Sequence, residues 1–354
     1  MDFNSIIEKA EKDLFIIAEA GVNHNGDLDI AKELVDVAAK SGCDAVKFQT
    51  WKTEKVYCQE LSIKPEYQKQ ATDREESEFD TIKKLELSFD AFRELKEYCD
   101  SKEILFLSTP DEQESADFLV DDLRVPIMKT ASQDVTNTPF LKYLGQKEIP
   151  LIFSTGAATL TEVIEGVETI LNENEQLILL HCVSSYPAPL EDLNLNVIPR
   201  LAAITNCPVG FSDHTVGVEA SCVALALGAR FFEKHFTLSH DQSGPDHQAS
   251  LIPEELIRYV STLRSIRQAL GDGRKRVMPC ELGNRKAFHR FLVSSRDIEQ
   301  EERFVKDDFL FKKVADGIAP KHIYDIIGTT AATAISEGEV LHWKHVQFED
   351  KTDS

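Results

Sequence analysis

The stretch Val209–His247, VGFSDHTVGVEASCVALALGARFFEKHFTLSHDQSGPDH, predicts a strand, a helix and a second strand. Val209–Phe211 is the end of a short apolar run, Gly217–Leu227 is rich in Ala, Val and Leu, and Arg230–Phe236 is a second apolar run. A connection of this length is typical of a βαβ unit, in which the two strands are parallel. We therefore expect neighbouring parallel strands that end at the same edge of a sheet.

Two histidines lie at the ends of these strands. His214 comes just after the first strand and His235 lies at the tip of the second, with Ser212, Asp213 and Asp246 close by in sequence. The carboxyl edge of a parallel sheet or barrel is where ligands bind. A single histidine there more often caps a strand, but imidazoles on adjacent strands can share one divalent cation. The pair therefore predicts a metal site.

The chain repeats this pattern up to residue 270. Apolar runs alternate with segments of helical periodicity, including Glu112–Leu119. The predicted strands are Leu14–Ala18, Ala45–Phe48, Ile104–Ser108, Val125–Lys129, Pro150–Ser154, Leu177–Cys182, Val209–Phe211 and Arg230–Phe236. Eight such units over about 250 residues are typical of an α/β protein with a (β/α)8 TIM barrel. A doubly wound open sheet is the alternative, although the chain has no GxGxxG turn.

Two segments depart from the alternation. Trp51–Asp80 is long, charged and without clear periodicity, which favours an extended loop or lid. Beyond Gly273 the apolar runs are short and broken by Asp, Gly and Pro, which indicates a small β-rich or mixed module. The polar stretch Gly271–Asn284 is the candidate linker. We predict a barrel domain over residues 1–275, a linker over 276–284 and a C-terminal domain over 285–354.

The composition excludes several classes of partner. The chain has 354 residues and a net charge of −22, which argues against binding to nucleic acid or to an anionic membrane. No apolar run approaches the ~20 residues of a membrane span, and the N-terminus shows no signal peptide. The seven cysteines are odd in number and never in CxxC spacing. They predict reduced thiols and a cytoplasmic protein.

The predicted strands almost all end in polar or titratable residues, which is the pattern of a barrel whose carboxyl face is a site. Lys47 and Lys129, interleaved with Ser132, Ser154 and Ser212, predict a phosphate or phosphoenol site without a P-loop. Either lysine alone is more often part of a structural ion pair. A lysine at a strand end can also form a Schiff base, so a pyruvate aldolase remains a rival.

The remaining strand ends supply acid–base and metal chemistry. Glu19 is a candidate acid–base group, and its alternative role is to orient a neighbouring His or Asn. His214 and His235 would hold a metal ion that acts as a Lewis acid on a carbonyl.

Eight short motifs lie along the predicted barrel. They are IAEAGVNHNG (17–26), AVKFQT (45–50), STP (108–110), FSTG (153–156), HCVSSYPAP (181–189), GFSDHT (210–215), EKHFT (233–237) and GPDH (244–247). Together they resemble the sialic acid (N-acetylneuraminate) synthase family, which includes legionaminic and pseudaminic acid synthases. These enzymes condense phosphoenolpyruvate with an N-acyl amino sugar to a nine-carbon 2-keto acid and release phosphate. The resemblance spans almost the whole chain and implies a C-terminal antifreeze-like (SAF, β-clip) domain.

The resemblance also implies roles for matching positions. Glu19 would be the acid–base group, and His214 and His235 would bind a divalent ion, typically Mn2+, with Mg2+ or Co2+ as alternatives. The residues implied around phosphoenolpyruvate are Lys47, Thr109, Lys129, Ser132, Ser154, Ser184 and Ser212. Those implied around the sugar are Gln49, Asp134, Tyr186, Asp246 and Lys313.

Two positions depart from the commonest family pattern. The SGE or SGD motif is Ser132-Gln133-Asp134 here, and Lys313 replaces an arginine that in relatives contacts the acyl group of the sugar. Lysine keeps the charge but loses the planar fork of arginine, so the change bears on the sugar rather than on phosphoenolpyruvate. The resemblance implies that the acceptor is N-acetylmannosamine or a 2,4-diacetamido-trideoxyhexose. The segment Tyr67–Ser88 resembles the legionaminic acid branch, which uses the second kind of sugar.

Two other functions remain open, and the resemblance implies an assembly. The first rival is an aldolase that forms a Schiff base at Lys129, and the second is a non-catalytic carbohydrate-binding or ice-binding protein. The second gives no reason for the two histidines, two lysines and Glu19 at strand ends. In the family the SAF module reaches across a two-fold axis, so we expect a domain-swapped homodimer. Lys313 of one chain would then approach the sugar pocket of the other.

Overall fold

The computed structural model describes residues 2–62, 64 and 76–348. The chain forms two compact units, Met1–Asp272 and Gly273–Ser354. Residues 63 and 65–75 of the predicted lid lie outside the described residues, and so does part of the segment Tyr67–Ser88. No helix in the described ranges is long and apolar enough to cross a bilayer.

Eight parallel strands among the described residues of the first unit form one sheet. They are β1 Phe15–Gly21, β2 Ala45–Thr50, β3 Leu105–Pro110, β4 Met128–Thr130, β5 Leu151–Ser154, β6 Leu177–Cys182, β7 Val209–Asp213 and β8 Phe231–His235. Hydrogen bonds join them in the order β3-β2-β1-β8-β7-β6-β5-β4. Strands β3 and β4, at the two ends of this order, lie beside each other, so the sheet closes. The predicted (β/α)8 barrel is confirmed.

Most helices follow the strands and cover the outside of the barrel. They are Leu28–Lys40, Phe89–Ser101, Gln113–Asp117, Thr138–Gly145, Leu160–Leu171, Val197–Thr205, Glu219–Ala226 and Pro253–Leu270. The helices Thr53–Val56 and Glu78–Leu85 instead pack together in a separate small apolar cluster with Val22 and Trp51. A large apolar cluster lies between the outer helices and the sheet. It contains Ile16 and Ala18 of β1 and Phe232 of β8, which alternate with residues that point into the barrel.

The lower part of the barrel interior is a second apolar cluster. Its members on the strands are Phe15, Ile17, Ala45, Leu107, Ile152, Ile178, Leu180 and Phe231, joined by Ile127 just before β4. A helix not predicted from the sequence, α1 Phe3–Lys12, adds Ile6 and Ala10 to this cluster and closes the amino end of the barrel. The Asp2 side chain caps α1 by accepting from the Ser5 N–H.

Strand register brings the polar strand ends together. Glu19 pairs with Lys47 on β2 and with His235 on β8, and Ser212 of β7 pairs with Glu233. On β1, β2 and β8 the polar residues Glu19, Lys47 and Glu233 each lie two positions after an apolar residue of the lower cluster. Because side chains alternate with a period of two, both point into the barrel. The carboxyl end of the interior is therefore polar, as the sequence predicted.

Three local predictions were wrong in part. β4 starts at Met128 rather than at Val125, because Pro126 has no N–H to donate to a ladder. The helix predicted over Glu112–Leu119 is an α-helix only over Gln113–Asp117 and continues as a π-helical turn, Phe118–Asp122. The predicted extended segment after Trp51 contains the helix Thr53–Val56 and the start of Glu78–Leu85.

The second unit is small and β-rich. Its strands are β9 Arg290–Ser294 paired with β10 Phe309–Lys313, and β11 Thr330–Ala331 paired with β12 Val346–Gln347, both pairs antiparallel. The short helices Leu282–Phe288 and Ile323–Ile326 complete it. Leu292, Phe304 and Leu341 belong to its own buried cluster. Lys313 is exposed at the end of β10, with its Nζ 5.5 Å from the centroid of the Phe288 ring.

Candidate active site

The carboxyl ends of the eight strands surround a cavity of about 700 Å³. Every strand contributes at least one side chain to its wall. The predicted site residues that line it are Glu19, Lys47, Gln49, Thr109, Lys129, Ser132, Ser154, Ser184, Tyr186, Ser212, His214, His235 and Asp246. Asp134 does not line it, and its carboxyl accepts instead from the Asn137 amide at 3.0 Å. Lys313 belongs to the second unit.

The floor of the cavity is a buried cluster of two lysines and two glutamates. Lys47 Nζ lies 2.8 Å from Glu19 Oε2 and 3.8 Å from Glu233 Oε1. Lys129 Nζ lies 3.4 Å from the same Glu233 oxygen. The two lysines belong to strands separated by β3, and Glu233 is the residue that brings their ammonium groups together. All four side chains are almost fully buried.

Charge and burial compete in this cluster. Burial raises the pKa of Glu19 to about 7, despite the nearby Lys47 ammonium. Burial would also raise the pKa of Glu233, but Lys129 and Lys47 outweigh it and lower that pKa. Burial lowers the pKa of Lys129, whereas for Lys47 the charges of Glu19 and Glu233 overcome burial and raise the pKa. The floor therefore pairs a glutamate that titrates near neutrality with one that stays ionised.

Sequence reasoning missed Glu233, although it lies inside the quoted EKHFT motif. The signal was available, because His235 points into the barrel and Glu233 lies two residues before it. Asp111 was also missed and lines the cavity just after β3. Burial raises the pKa of Asp111 to about 8, with a further contribution from the Asp134 charge.

Hydroxyl groups crowd one wall of the cavity around Gly156. Ser132 Oγ accepts from the Gly156 N–H at 3.1 Å. A Cβ on Gly156 would lie 2.2 Å from Ser184 Oγ and 2.8 Å from Ser132 Oγ, so only glycine permits this approach. Ser154 Oγ is buried and has no hydrogen-bond partner in the structure. This wall therefore presents serine hydroxyl groups that can still donate hydrogen bonds, which suits the binding of an anion.

The two histidines lie at the ends of β7 and β8, next to this wall, because Cys182 Sγ is 3.8 Å from both Ser132 Oγ and His214 Nδ1. Their ring centroids are 5.4 Å apart. His214 Nδ1 lies 2.8 Å from the Val183 carbonyl oxygen, which can only accept, so Nδ1 carries the proton and Nε2 keeps its lone pair. His235 Nδ1 is buried without a partner. It lies 3.9 Å from Asp246 Oδ2, and the other Asp246 oxygen is also buried without a partner.

This donor set fits a divalent cation held by two imidazoles. His235 Nδ1 has no partner, and His214 Nε2 has only a long contact of 3.5 Å with Ser212 Oγ. A backbone carbonyl orients the His214 ring, as is usual for metal ligands. In the part of the chain that the structure describes, no group of three or more His, Cys, Asp or Glu is placed to hold a metal ion. The other coordination positions would therefore be left to water or substrate, which is typical of catalytic rather than structural sites.

The remaining wall is mixed in polarity. Tyr186 packs on both imidazoles, with centroid distances of 4.1 Å to His214 and 5.6 Å to His235. Val22 and Ile82 are buried side chains of a small apolar cluster that also reach the cavity. This part of the cavity therefore combines an aromatic ring and aliphatic groups with the polar floor, as sites for sugar derivatives do.

Comparison with known proteins gives matches over nearly the whole chain. The NeuB family model matches residues 34–275, and the SAF domain model matches residues 289–347. The N,N'-diacetyllegionaminic acid synthase of Legionella pneumophila is 40% identical over 338 residues, 94% of this chain and 94% of that protein. The enzyme of the same name from Campylobacter jejuni is 39% identical over 333 residues, 93% of this chain and 99% of that protein.

A solved structure is also similar. The crystal structure of N-acetylneuraminic acid (sialic acid) synthetase from Leptospira borgpetersenii, in complex with citrate, aligns with a TM-score of 0.69. Its sequence is 34% identical, and the alignment covers 77% of this chain and 90% of that one.

Proposed function

The chain belongs to the NeuB family, and from this premise we propose that it condenses phosphoenolpyruvate with an N-acyl amino sugar to a nine-carbon 2-keto acid, releasing phosphate. The family predicted from the motifs is confirmed, and so is the antifreeze-like SAF domain. The observation that carries the proposal is the convergence of two buried lysines on Glu233, at the floor of the cavity that the two histidines also line.

The lysines and hydroxyls are the groups that bind phosphoenolpyruvate. Each ammonium has three donors, and the one carboxylate within 4 Å of Lys129 Nζ leaves donors of this lysine for the substrate. Lys47 also donates to Thr109 Oγ1 at 3.2 Å, so it would present its charge together with that hydroxyl. Ser132, Ser154 and Ser184 add neutral donors along the adjacent wall. Because Glu19 has a pKa of about 7, it is protonated in part at neutral pH, which reduces the repulsion of an anionic substrate.

Glu19 is the acid–base group. Carbon C3 of phosphoenolpyruvate attacks the aldehyde carbon of the open-chain sugar, a C–C bond forms, and the aldehyde oxygen takes a proton from Glu19. Water then adds to C2 and returns a proton to the Glu19 carboxylate. The bond between C2 and the bridging oxygen then breaks, the C2 hydroxyl passes its proton to the departing phosphate, and C2 becomes the ketone. A group with a pKa near the working pH suits both directions of this proton transfer.

His214 and His235 would hold a divalent cation, which we propose to be Mn2+, with Mg2+ or Co2+ as alternatives. When bound, such an ion supplies Lewis-acid polarisation of a carbonyl oxygen. Tyr186 packs against both rings and limits their rotation. Asp246, beside His235, and Gln49, whose Nε2 lies 3.4 Å from Glu19 Oε1, face the space left for the sugar.

A phosphate-release assay tests the reaction. The enzyme, supplied with Mn2+, phosphoenolpyruvate and a panel of amino sugars, should release phosphate only when an accepted sugar is present. With phosphoenolpyruvate labelled by 18O in the bridging position, the label should appear in the phosphate. Phosphate release that does not depend on any sugar, or label retained in the organic product, would contradict the proposal.

For the acceptor, we propose a 2,4-diacetamido-trideoxyhexose rather than N-acetylmannosamine. Both relatives described above are named for N,N'-diacetyllegionaminic acid. The aliphatic wall of Val22 and Ile82 suits the methyl groups of acetamido and deoxy positions. Val22→Thr should lower the kcat/KM ratio of the diacetamido sugar to N-acetylmannosamine, while Val216→Thr, at a position 76% exposed, should not.

The rival reaction at Lys129 has one observation in its favour. Burial lowers the pKa of Lys129, and a less basic lysine is a better Schiff-base nucleophile. Its Nζ lies within 3.4 Å of Glu233, which stabilises the ammonium instead. Borohydride treatment in the presence of pyruvate discriminates, because only an aldolase would be trapped as a covalent adduct at Lys129.

We also propose a domain-swapped homodimer located in the cytoplasm. All seven cysteines are unpaired thiols in the structure, which supports a reducing compartment.

Lys313 is exposed in the second unit, and Lys313→Glu should impair sugar binding if this residue approaches the partner's pocket. Mixing Lys313→Glu with His235→Ala should then restore part of the activity. A fully active Lys313→Glu protein, or no recovery in verified mixed dimers, would contradict the swap.

A further inference from the structure

A buried ion pair lies behind the two histidines, on the outer side of the barrel wall. Lys234 precedes His235 on β8 and points away from the cavity, because successive residues of a strand face opposite sides. Its Nζ lies 3.1 Å from Asp213 Oδ1 and donates to the Thr215 carbonyl oxygen at 2.5 Å. One ammonium therefore contacts the residues on both sides of His214 in sequence.

The carboxylate of the pair is fully bonded as well. Asp213 Oδ1 accepts from the Thr215 N–H at 2.8 Å and from the Thr215 hydroxyl at 2.7 Å. Asp213 Oδ2 accepts from Ser221 Oγ at 2.6 Å, and Ser221 bonds the Tyr259 hydroxyl at 2.7 Å. Ser221 and Tyr259 belong to the two helices that cover β7 and β8. The strand ends, the turn after β7 and both helices are thus joined in one network.

Stability alone does not account for this arrangement. Lys234 and Asp213 are both 1% exposed, and a buried ion pair is often no more stabilising than well-packed apolar residues of similar volume. The pair does fix a relative position, because its charge-assisted hydrogen bonds hold the end of β7 against the end of β8. Those are the two positions that carry His214 and His235.

We propose that the Asp213–Lys234 pair, supported by Ser221 and Tyr259, is a positioning device that fixes the two imidazoles relative to each other. This inference rests on the proposed function, in which the two rings must be fixed relative to each other because they hold one cation between them. It assigns no chemical step to Lys234 or Asp213, since neither lines the cavity. Their effect is on how well the histidine pair is preorganised.

The test uses the full-length protein with Lys234→Met and the double variant Lys234→Met/Asp213→Asn, which removes both charges without leaving one unpaired. Asp44→Asn is the matched control. Asp44 is a carboxylate with a 4% exposed side chain at the amino end of the barrel, paired with Lys9 and Arg264. Tyr259→Phe, which removes only the outermost hydroxyl, is a milder variant if the others fold poorly.

Two measurements report on the positioning. Imidazole 15N NMR signals of metal-free protein, assigned with His214→Ala and His235→Ala, should shift in the Lys234 variants and in Tyr259→Phe, but not in Asp44→Asn. Mn2+ affinity by titration calorimetry should fall about tenfold or more in the Lys234 variants, the range expected for loss of a group that orients ligands. Asp44→Asn should lose thermal stability and keep its Mn2+ affinity.

Unchanged imidazole signals in a folded Lys234 variant would overturn the inference. Equal shifts in Asp44→Asn would do so too, because they would show only a general loss of stability. If wild-type protein binds no Mn2+, the metal part of the proposed function fails, and the NMR comparison still decides whether the pair positions the histidines.

Discussion

The lower and upper halves of the barrel interior are made by the same strands and differ completely in chemistry. On β1, Ile17 lies in the apolar lower cluster and Glu19, two residues later, lies in the cavity floor. On β5 the same step leads from Ile152 to Ser154. The lower half is closed by α1, whereas the upper half opens into a cavity of about 700 Å³.

The difference separates what stabilises the fold from what serves the reaction. Each large apolar side chain of the lower half, such as Ile152 or Phe231, contributes roughly 1.5–3 kcal/mol by leaving water. The upper half buries polar atoms that have no partner, among them Ser154 Oγ, Glu233 Oε2 and His235 Nδ1, and such atoms cost about 1–3 kcal/mol each. A ligand that bonds these atoms would recover this energy. The polar groups of the upper half are therefore arranged for a bound ligand, and the apolar packing of the lower half keeps the strands that carry them in place.

The largest effect is expected from removing an imidazole of the upper half. His235→Ala should reduce turnover by about 1000-fold or more, roughly 4 kcal/mol in activation free energy, because a metal ligand is lost. The barrel should stay folded, since the side chain lines the cavity rather than the core. Turnover assays combined with thermal unfolding measure both quantities.

His181→Ala is the matched control for this prediction. His181 is a buried histidine on β6 that bonds the Leu193 carbonyl oxygen and does not line the cavity. It should lower stability and largely preserve turnover. Exhaustive chelation of the wild type should reproduce the His235→Ala result, and Mn2+ should reverse it. Full activity after chelation would refute the two-histidine metal site.

The second prediction compares two residues of one strand. Ile152→Ala in the lower half should lower the free energy of unfolding by about 2–5 kcal/mol, because it leaves a cavity in a closed core. Ser154→Ala should leave stability unchanged or slightly raised, because its hydroxyl is buried without a partner. Denaturant unfolding gives both values. A large loss of stability in Ser154→Ala would show that the upper half also supports the fold.

The third prediction concerns Lys129, one of the two lysines in the floor of the cavity. Lys129→Ala should raise the KM for phosphoenolpyruvate about ten- to a hundredfold, since a charge-assisted hydrogen bond contributes about 1.5–3 kcal/mol. The KM for the sugar should change much less. Lys142→Ala, which removes a lysine whose side chain is 58% exposed, should change neither constant. An unchanged KM for phosphoenolpyruvate in Lys129→Ala would place the phosphate elsewhere.

Most of the barrel and of its polar face could be predicted from the sequence. Strands and helices of a (β/α)8 barrel have strong local periodicity, and a strand end fixes which edge a side chain reaches. The pairing of β1 with β8, which places Glu19 beside His235, follows from closure of the barrel and needs no knowledge of packing.

Other features could not be read from local pattern. Helix α1 is amphipathic but resembles any surface helix, and only the closed barrel shows that Ile6 and Ala10 plug its end. Glu233 acquires its role because two lysines from non-adjacent strands meet there. Asp134 does not line the cavity, because it ends the short 3-10 turn Ser132–Asp134 and accepts a bond from Asn137, which precedes the next helix. The position of a strand end does not predict this bond.

The smallest expected effect is a shift in the pH dependence of kcat/KM, which arises because several charged side chains lie close together in the upper half. Because burial raises the pKa of Glu19 to about 7, its acid form declines above neutrality, and kcat/KM for the sugar at saturating phosphoenolpyruvate should fall roughly tenfold between pH 7 and pH 8.5. The charge of Glu233 contributes to this raised pKa. Glu233→Gln should therefore lower the pKa of Glu19 and move the alkaline limb to lower pH. Rates over pH 6–9 for both proteins measure the shift, and a limb that stays in place, or moves to higher pH, would mean that Glu19 does not set it.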